Sequence, residues 1–340
     1  MGQQGMWDWE QRHQKLEEQK SFLIQLDGLI PWEEFRPLLQ KVHERPRKNN
    51  AGRKPIDVIL KFKMLLLQRL YNIADAELEY QVNDRLSFMK FLKLGLEDTV
   101  PDATTIWQLR EDLTKLKIID ELYEKLDSYL VKHGYQAKGG QIIDASFVPV
   151  PKQHNTREEN AQIKSGEEIK EWSGDKARQK DVDARWTKKN DVSHFGYKNH
   201  VSMDAKYGFI RCYAVTDASA HDSQALGEVL DIENEGDEVW ADSAYQSADT
   251  EWALAKMGFK SEIHERAYRN RPLTDEQKVR NRERSKIRAR VEHVFGHWVN
   301  EMGGKLMRGV SKVRIEAKVG LFNLAYNLKR YVYLKTAGVL

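Results

Sequence analysis

One cysteine, Cys212, stands in 340 residues. That excludes an internal disulfide framework and a zinc site built from cysteines, and it suits a reducing cytosol. No apolar run approaches the roughly 18 residues that a membrane helix needs. The first residues, Met1 to Gln11, lack the basic-then-apolar order of a secretory leader. An excess of one charge is missing too: 55 Lys and Arg face 52 Asp and Glu, a net of +3. Hydrophobic residues make up 40% of the chain, enough for a core, so global disorder is disfavoured. The length allows one large domain or two ordinary ones.

Charge that averages to little is concentrated in two places. Residues 41–54 hold Lys41, Arg45, Arg47, Lys48, Arg53 and Lys54 against Glu44 alone. Residues 278–290 hold seven basic side chains against Glu283. Such clusters suit a phosphate backbone, and equally a solvated surface.

The first 135 residues read as helical. Phe22, Leu23, Leu26 and Leu29 recur at helical spacing after a loosely tethered arm, and Pro31 ends the run. A short helix over 32–42 precedes the basic linker 43–55. Ile59, Phe62, Leu66, Leu67 and Leu70 form a stripe, Asn72 is placed to cap a helix at 74–81, and a further helix covers 84–92. Asp102 caps a helix reaching 116, and 118–133 shows Ile119, Leu122, Tyr123, Leu126 and Leu130 on one face. Short turns between helices fit a helix-turn-helix or any other helical bundle. From Gly139-Gly140 onward the pattern turns to strands at 141–148, 197–204, 209–216, 238–241 and 259–263. Helices are expected at 222–230, 247–257, 275–302 and 315–335. The polar stretch 149–195 reads as an irregular excursion that orders on its ligand.

Three carboxylates stand out. Asp144 lies inside the β-rich run Ile143-Asp144-Ala145-Ser146-Phe147, where a charge is costly unless paired or metal-bound. Asp242 ends the strand Val239-Trp240-Ala241, at a sheet rim where ligands of α/β folds gather, although Asp is also common in turns. Glu292 sits on a helix at the edge of the face formed by Val291 and Phe295, and Arg288 is spaced for an i,i+4 pair with it. The alternative for Glu292 is a surface salt bridge. Carboxylates sharing a site suit hard divalent ions and phosphodiester chemistry.

The ordered pieces Gly52-Arg53-Lys54-Pro55, Pro101-Asp102-Ala103-Thr104-Thr105-Ile106-Trp107, Ile143-Asp144-Ala145-Ser146, Gly196-Tyr197-Lys198-Asn199-His200, Ala241-Asp242-Ser243-Ala244-Tyr245 and Arg288-Ala289-Arg290-Val291-Glu292-His293-Val294-Phe295-Gly296 resemble the DDE transposases of bacterial insertion sequences. The resemblance implies an α/β fold: an RNase H-like mixed sheet flanked by helices at 136–335, after an all-helical end-binding and dimerisation region at 1–135. It implies catalysis by Asp144, Asp242 and Glu292 holding two Mg²⁺ ions, with Mn²⁺ as a substitute. Arg53, Lys54, Lys198, His200, Arg282, Lys286, Arg288 and Arg290 become candidate DNA contacts, Arg288 alternatively bracing Glu292. The related signature of Tyr, Arg, Glu and Lys is matched at Arg288 and Glu292, but its outer positions hold Ser285 and Val299. The implied partners are double-stranded DNA with terminal inverted repeats, target DNA and a second copy of the chain, in a cytoplasmic, nucleoid-associated setting without a membrane. A DNA-binding protein of the same fold without activity, and a nuclease that cuts without joining, are the rival readings.

Overall fold

The computed structural model describes residues 8–19, 21–44, 55–167, 169, 171–189 and 191–339. The chain divides into two compact units, one reaching Leu126 and including the chain from Asn327 on, the other Asp127–Tyr326. Among the described residues no helix is long and apolar enough to cross a membrane.

The first unit is helical. Its elements are α1 (Asp8–Glu18), α2 (Phe22–Leu29), α3 (Arg36–Gln40), α4 (Val58–Leu70), α5 (Asp75–Asp84), α6 (Leu86–Leu92), α7 (Ala103–Lys115) and α8 (Ile118–Lys132), which runs past its end. Caps set several starts. Asp57 accepts hydrogen bonds from the N–H groups of Ile59 and Leu60 at 2.8 and 3.1 Å, opening α4. Asp102 accepts from Thr105 at 2.7 Å, opening α7 as its sequence announces. Each such cap contributes about 1 kcal/mol. Asn72 does not cap α5: its backbone is left-handed, φ 51°, and Ala74 holds the cap position without a side-chain bond. Asp75 instead receives both guanidinium nitrogens of Arg110, at 2.9 and 2.5 Å. Trp32, Phe35, Phe62 and Phe91 form the aromatic heart, their ring centroids 5.8–6.5 Å apart.

The second unit is built on a six-stranded mixed sheet: β1 (Gln141–Pro149), β2 (Arg185–Lys189), β3 (Val192–Asp204), β4 (Ile210–Asp217), β5 (Glu238–Trp240) and β6 (Lys260–Ser261). The order across it is β2-β3-β1-β5-β6, with β4 also on β3. β3 runs antiparallel to β1 from Gln141 opposite Asp204 to Pro149 opposite Gly196. β2 and β4 lie end to end on the far edge of β3. β5 is parallel to β1 and β6 to β5. Glycine permits the closest crossing. At Gly140, with φ 78°, an added Cβ would stand 2.5 Å from the Glu238 carbonyl oxygen, and one on Gly236 would stand 2.0 Å from the Gly140 nitrogen. The backbones leading into β1 and β5 therefore touch, which seats the two strands side by side.

The stretch 149–195, expected to be irregular, instead forms α9 (Arg157–Ser165), α10 (Gly174–Gln179), the whole of β2 and the first residues of β3. Polar bonds replace an apolar core here. Thr156 and Glu159 make a reciprocal capping box, Glu159 also accepts from Trp172 Nε1 at 2.6 Å and Lys176 Nζ at 2.7 Å, and the buried Asp181 accepts from Tyr197 Oη at 2.7 Å.

The helices α11 (Leu226–Val229) and α12 (Ala248–Lys256) follow β4 and β5. Their Leu226, Val229 and Leu254 pack with Ile143, Ala214, Val239, Ala241, Tyr245 and Ile263 on one side of the sheet. The long α13 (Asp275–Asn300) lies against β1 and β5. Its Val291, Val294 and Trp298 are buried, and Trp298 meets Phe322 of α14 (Lys312–Thr336) at 5.2 Å between ring centroids. A sheet covered by helices on both faces is the layered arrangement that strands alternating with helices demand.

Candidate active site

Register brings the two aspartates together. β1 and β5 pair in parallel with Gln141 opposite Val239 and Ile142 opposite Trp240. The same offset sets Asp144 opposite Asp242, just past the end of β5. Both lie at the carboxyl ends of neighbouring parallel strands, the edge where α/β sheets place their ligands. The turn after Asp242 is fixed locally: Asp242 Oδ1 accepts from Ala244 N at 2.6 Å, and its carbonyl from Tyr245 N at 3.1 Å.

Asp144 is the electrostatic centre. Its side chain is 16% exposed, and Arg288 Nη1 of α13 donates to its Oδ2 at 2.7 Å. Oδ1 accepts from the Ala145 N–H at 2.8 Å. Burial pushes its pKa up to about 6; the guanidinium and the N–H act against that, and the neighbouring Asp242 adds to it. Desolvation thus outweighs the counter-ion, so the site favours additional positive charge.

Glu292 lies on the turn of α13 after Arg288, but it is exposed rather than at the margin of the buried face. Arg288 does not brace it; the guanidinium goes to Asp144. Val291, directed inward, is fully buried, which turns the adjacent Glu292 outward. Among the described residues no three His, Cys, Asp or Glu side chains stand close enough to hold a metal ion together.

The candidate DNA contacts separate. His200 is fully buried, bonded to Thr216 Oγ1 at 2.9 Å and near Tyr245 Oη at 3.4 Å. Burial pushes its pKa down to about 4, so it is a neutral core group and cannot reach DNA from this position. Lys198 is likewise committed: its side chain is 12% exposed and donates to Asp222 at 2.7 Å and the Ala220 carbonyl at 2.6 Å. Lys286 is exposed and pairs with Glu283 at 2.8 Å, and Arg290 donates to the Ala205 carbonyl at 2.7 Å. Arg282 is exposed with no hydrogen-bond or ion-pair partner among the described residues. Arg53 and Lys54 lie outside the described residues.

Sequence reasoning missed two features. Arg280 and Arg284 leave the basic row to bind Glu265 at 2.9 Å and Glu262 at 2.8 Å, fastening α13 to the segment after β6. His264 on that segment meets Ser285. Nothing local in the sequence marks either; only the pairing of β5 with β6 does.

A helical region followed by a mixed sheet, helix-covered on both sides and carrying aspartates at adjacent strand ends, has the architecture of an RNase H-like catalytic domain with a helical N-terminal region. Residues 135–328 match the family model for the Transposase DDE domain, and residues 10–112 match that for the Transposase domain (DUF772). The chain belongs to the DDE transposase family, and it is an enzyme of the polynucleotidyl-transferase and endonuclease class. Family members generally use divalent metal ions. Among solved structures, a piggyBac transposase synaptic complex with hairpin DNA is similar over 94% of this chain and 76% of that chain, at 10% identity and a TM-score of 0.46.

Proposed function

We propose that this transposase binds the terminal inverted repeats of its own element, cleaves the phosphodiester bonds at the ends and joins the freed 3′-hydroxyls to target DNA. In this reading Asp144, Asp242 and Glu292 hold two Mg²⁺ ions, which Mn²⁺ can replace. The observation that carries it is the shared register of Asp144 and Asp242, with α13 bonded across Asp144 one turn before Glu292. Asp144 and Asp242 fit as they stand: carboxylate oxygens are the ligands that hard divalent ions take, and a buried Asp144 beside Asp242 calls for a cation, a need met here by Arg288. Glu292, exposed in this arrangement, would have to turn inward to join them. Bound ions would activate the attacking oxygen and stabilise the leaving one in an in-line displacement.

The protein's own groups then have separable work. Asp144 is held on its strand by the Ala145 N–H, and Asp242, in the turn just past β5, by the Ala244 N–H of that turn, so both carboxylates are fixed by their own backbone. Arg288 must leave Oδ2 for the three carboxylates to act together, and a released guanidinium is suited to a DNA phosphate. Arg282 and Lys286 extend positive charge along the exposed side of α13, where backbone contacts add salt-dependent, sequence-independent affinity. The helical region supplies end recognition and holds two copies together on DNA in the same reading. The cytoplasm, at the nucleoid, is where such a protein meets its substrate.

Asp242→Asn tests this. Metal-dependent cleavage of a labelled element end should be abolished while binding of that end stays within a few-fold, since a carboxylate is lost and no phosphate contact is. Near wild-type cleavage would defeat the assignment.

A further inference from the structure

The ladder that aligns the aspartates continues by one strand. β6 pairs with β5 with Glu238 opposite Lys260 and Val239 opposite Ser261. Its bonds run on past the strand, from Glu262 N to the Val239 carbonyl at 2.9 Å and from His264 N to the Ala241 carbonyl at 3.0 Å. That register sets His264 opposite Asp242. Three successive parallel strand ends thus carry Asp144, Asp242 and His264 in one row. Strand alternation turns all three away from Ile143, Ala241 and Ile263, which belong to the buried cluster on the other side of the sheet.

The ring is held, and its free atom can be identified. Ser285 Oγ of α13 lies 2.8 Å from the Asn281 carbonyl oxygen and 3.3 Å from His264 Nε2. A hydroxyl has one hydrogen and a carbonyl can only accept, so the shorter bond takes that hydrogen and Oγ accepts from Nε2–H. The neutral ring then keeps its lone pair on Nδ1, which has no hydrogen-bond partner among the described residues. Arg284 reinforces the placement by donating to the Ile263 carbonyl at 2.8 Å, directly before His264.

We propose that His264 is a further catalytic residue of this site: Nδ1 accepts a hydrogen bond from the attacking water or 3′-hydroxyl and orients it beside the two aspartates. The inference rests on the reading of Asp144 and Asp242 as catalytic. It gives a use to Ser285, which stands where the related signature has Tyr: the small hydroxyl leaves room for the ring and fixes its tautomer.

The test compares His264→Asn, His264→Gln and His264→Ala in the full chain. The probe is a supercoiled plasmid carrying the DNA that borders the coding sequence, nicked under single-turnover conditions with Mn²⁺. DNA binding by gel shift and the melting temperature are measured alongside. Asn places an acceptor oxygen where Nδ1 stood, whereas Gln restores only the donor toward Ser285. Ala and Gln should therefore slow nicking by about 100-fold, a usual size for a positioned proton-bonding group, with binding and melting unchanged, and Asn should recover at least tenfold. Recovery by Gln and not Asn would make His264 a structural brace and overturn the proposal. So would wild-type rates in all three, provided Asp242→Asn is inactive. If Asp242→Asn nicks normally, the catalytic reading itself falls; should Ala fail to fold, the contrast between Asn and Gln still decides.

Discussion

Replacing Asp144 with Asn should change how the stability of this protein depends on pH, quite apart from any loss of cleavage. Burial raises the Asp144 pKa from an ordinary 3.8 to about 6, net of the attraction to Arg288. A carboxyl that binds its proton more tightly when folded stabilises the fold fully below the unfolded pKa, and that contribution is lost as pH rises through the folded one. At about 1.36 kcal/mol for each tenfold difference in proton affinity, the wild type loses about 3 kcal/mol between roughly pH 4 and pH 7 that the uncharged amide of D144N cannot lose. For a domain of this size that corresponds to about 6–12 °C in melting temperature. Calorimetric melts of both proteins in EDTA across this range test it. The melting temperature of D144N minus that of the wild type should climb by that amount as pH rises, whatever the offset at pH 4 from altered packing against Arg288. Parallel curves would mean that Asp144 is not desolvated as described, and that its site has no preference for added positive charge.

Smaller effects are expected at the surface. Arg282→Gln should weaken DNA binding and flatten its dependence on salt by about 0.9 in log–log slope, one phosphate contact's worth; a salt series by fluorescence anisotropy measures this, and an unchanged slope would leave Arg282 a solubilising charge. Thr156→Ala should remove a capping box worth about 1 kcal/mol to α9 and quicken proteolysis within 151–190, whereas cleavage at the wild-type rate would show that the cap does not govern local opening.

The helices are legible wherever a stripe and a cap coincide. Asp102 with Ile106 and Leu109 is such a case, and the run from Ile119 to Leu130 is legible from its stripe alone. Strand positions follow from short β-rich runs, and Asp144 and Asp242 follow from their places in those runs. What local pattern does not supply is pairing. His200 looks like an accessible base in its motif, yet its partners Thr216 and Tyr245 come from another strand and from the turn beyond Asp242. Arg288 is spaced for Glu292, but a desolvated carboxylate from β1 competes and wins, because a buried charge gains more from the guanidinium than an exposed one does. The excursion reads as structureless because it has few apolar residues. Thr156-Arg157-Glu158-Glu159 nevertheless carries a capping signal, and β2 needs no inward-facing side chains of its own, being recruited through backbone bonds to β3.

That recruitment also bears on how such a chain can change over generations. The excursion leaves at the end of β1 and returns to the start of β3, the partner of β1, and β3 is pinned at Gly196, where an added Cβ would stand 2.3 Å from the Val148 carbonyl oxygen. Lengthening a loop whose ends are already fixed costs only about 0.6 kcal/mol for each doubling. Insertions and deletions between 150 and 184 can therefore accumulate, and new surface can be tried there, without sliding the register that aligns the strand ends at Asp144 and Asp242. The crossing of Gly140 and Gly236 has no comparable slack, so the entrance to the sheet should tolerate far less drift than this edge.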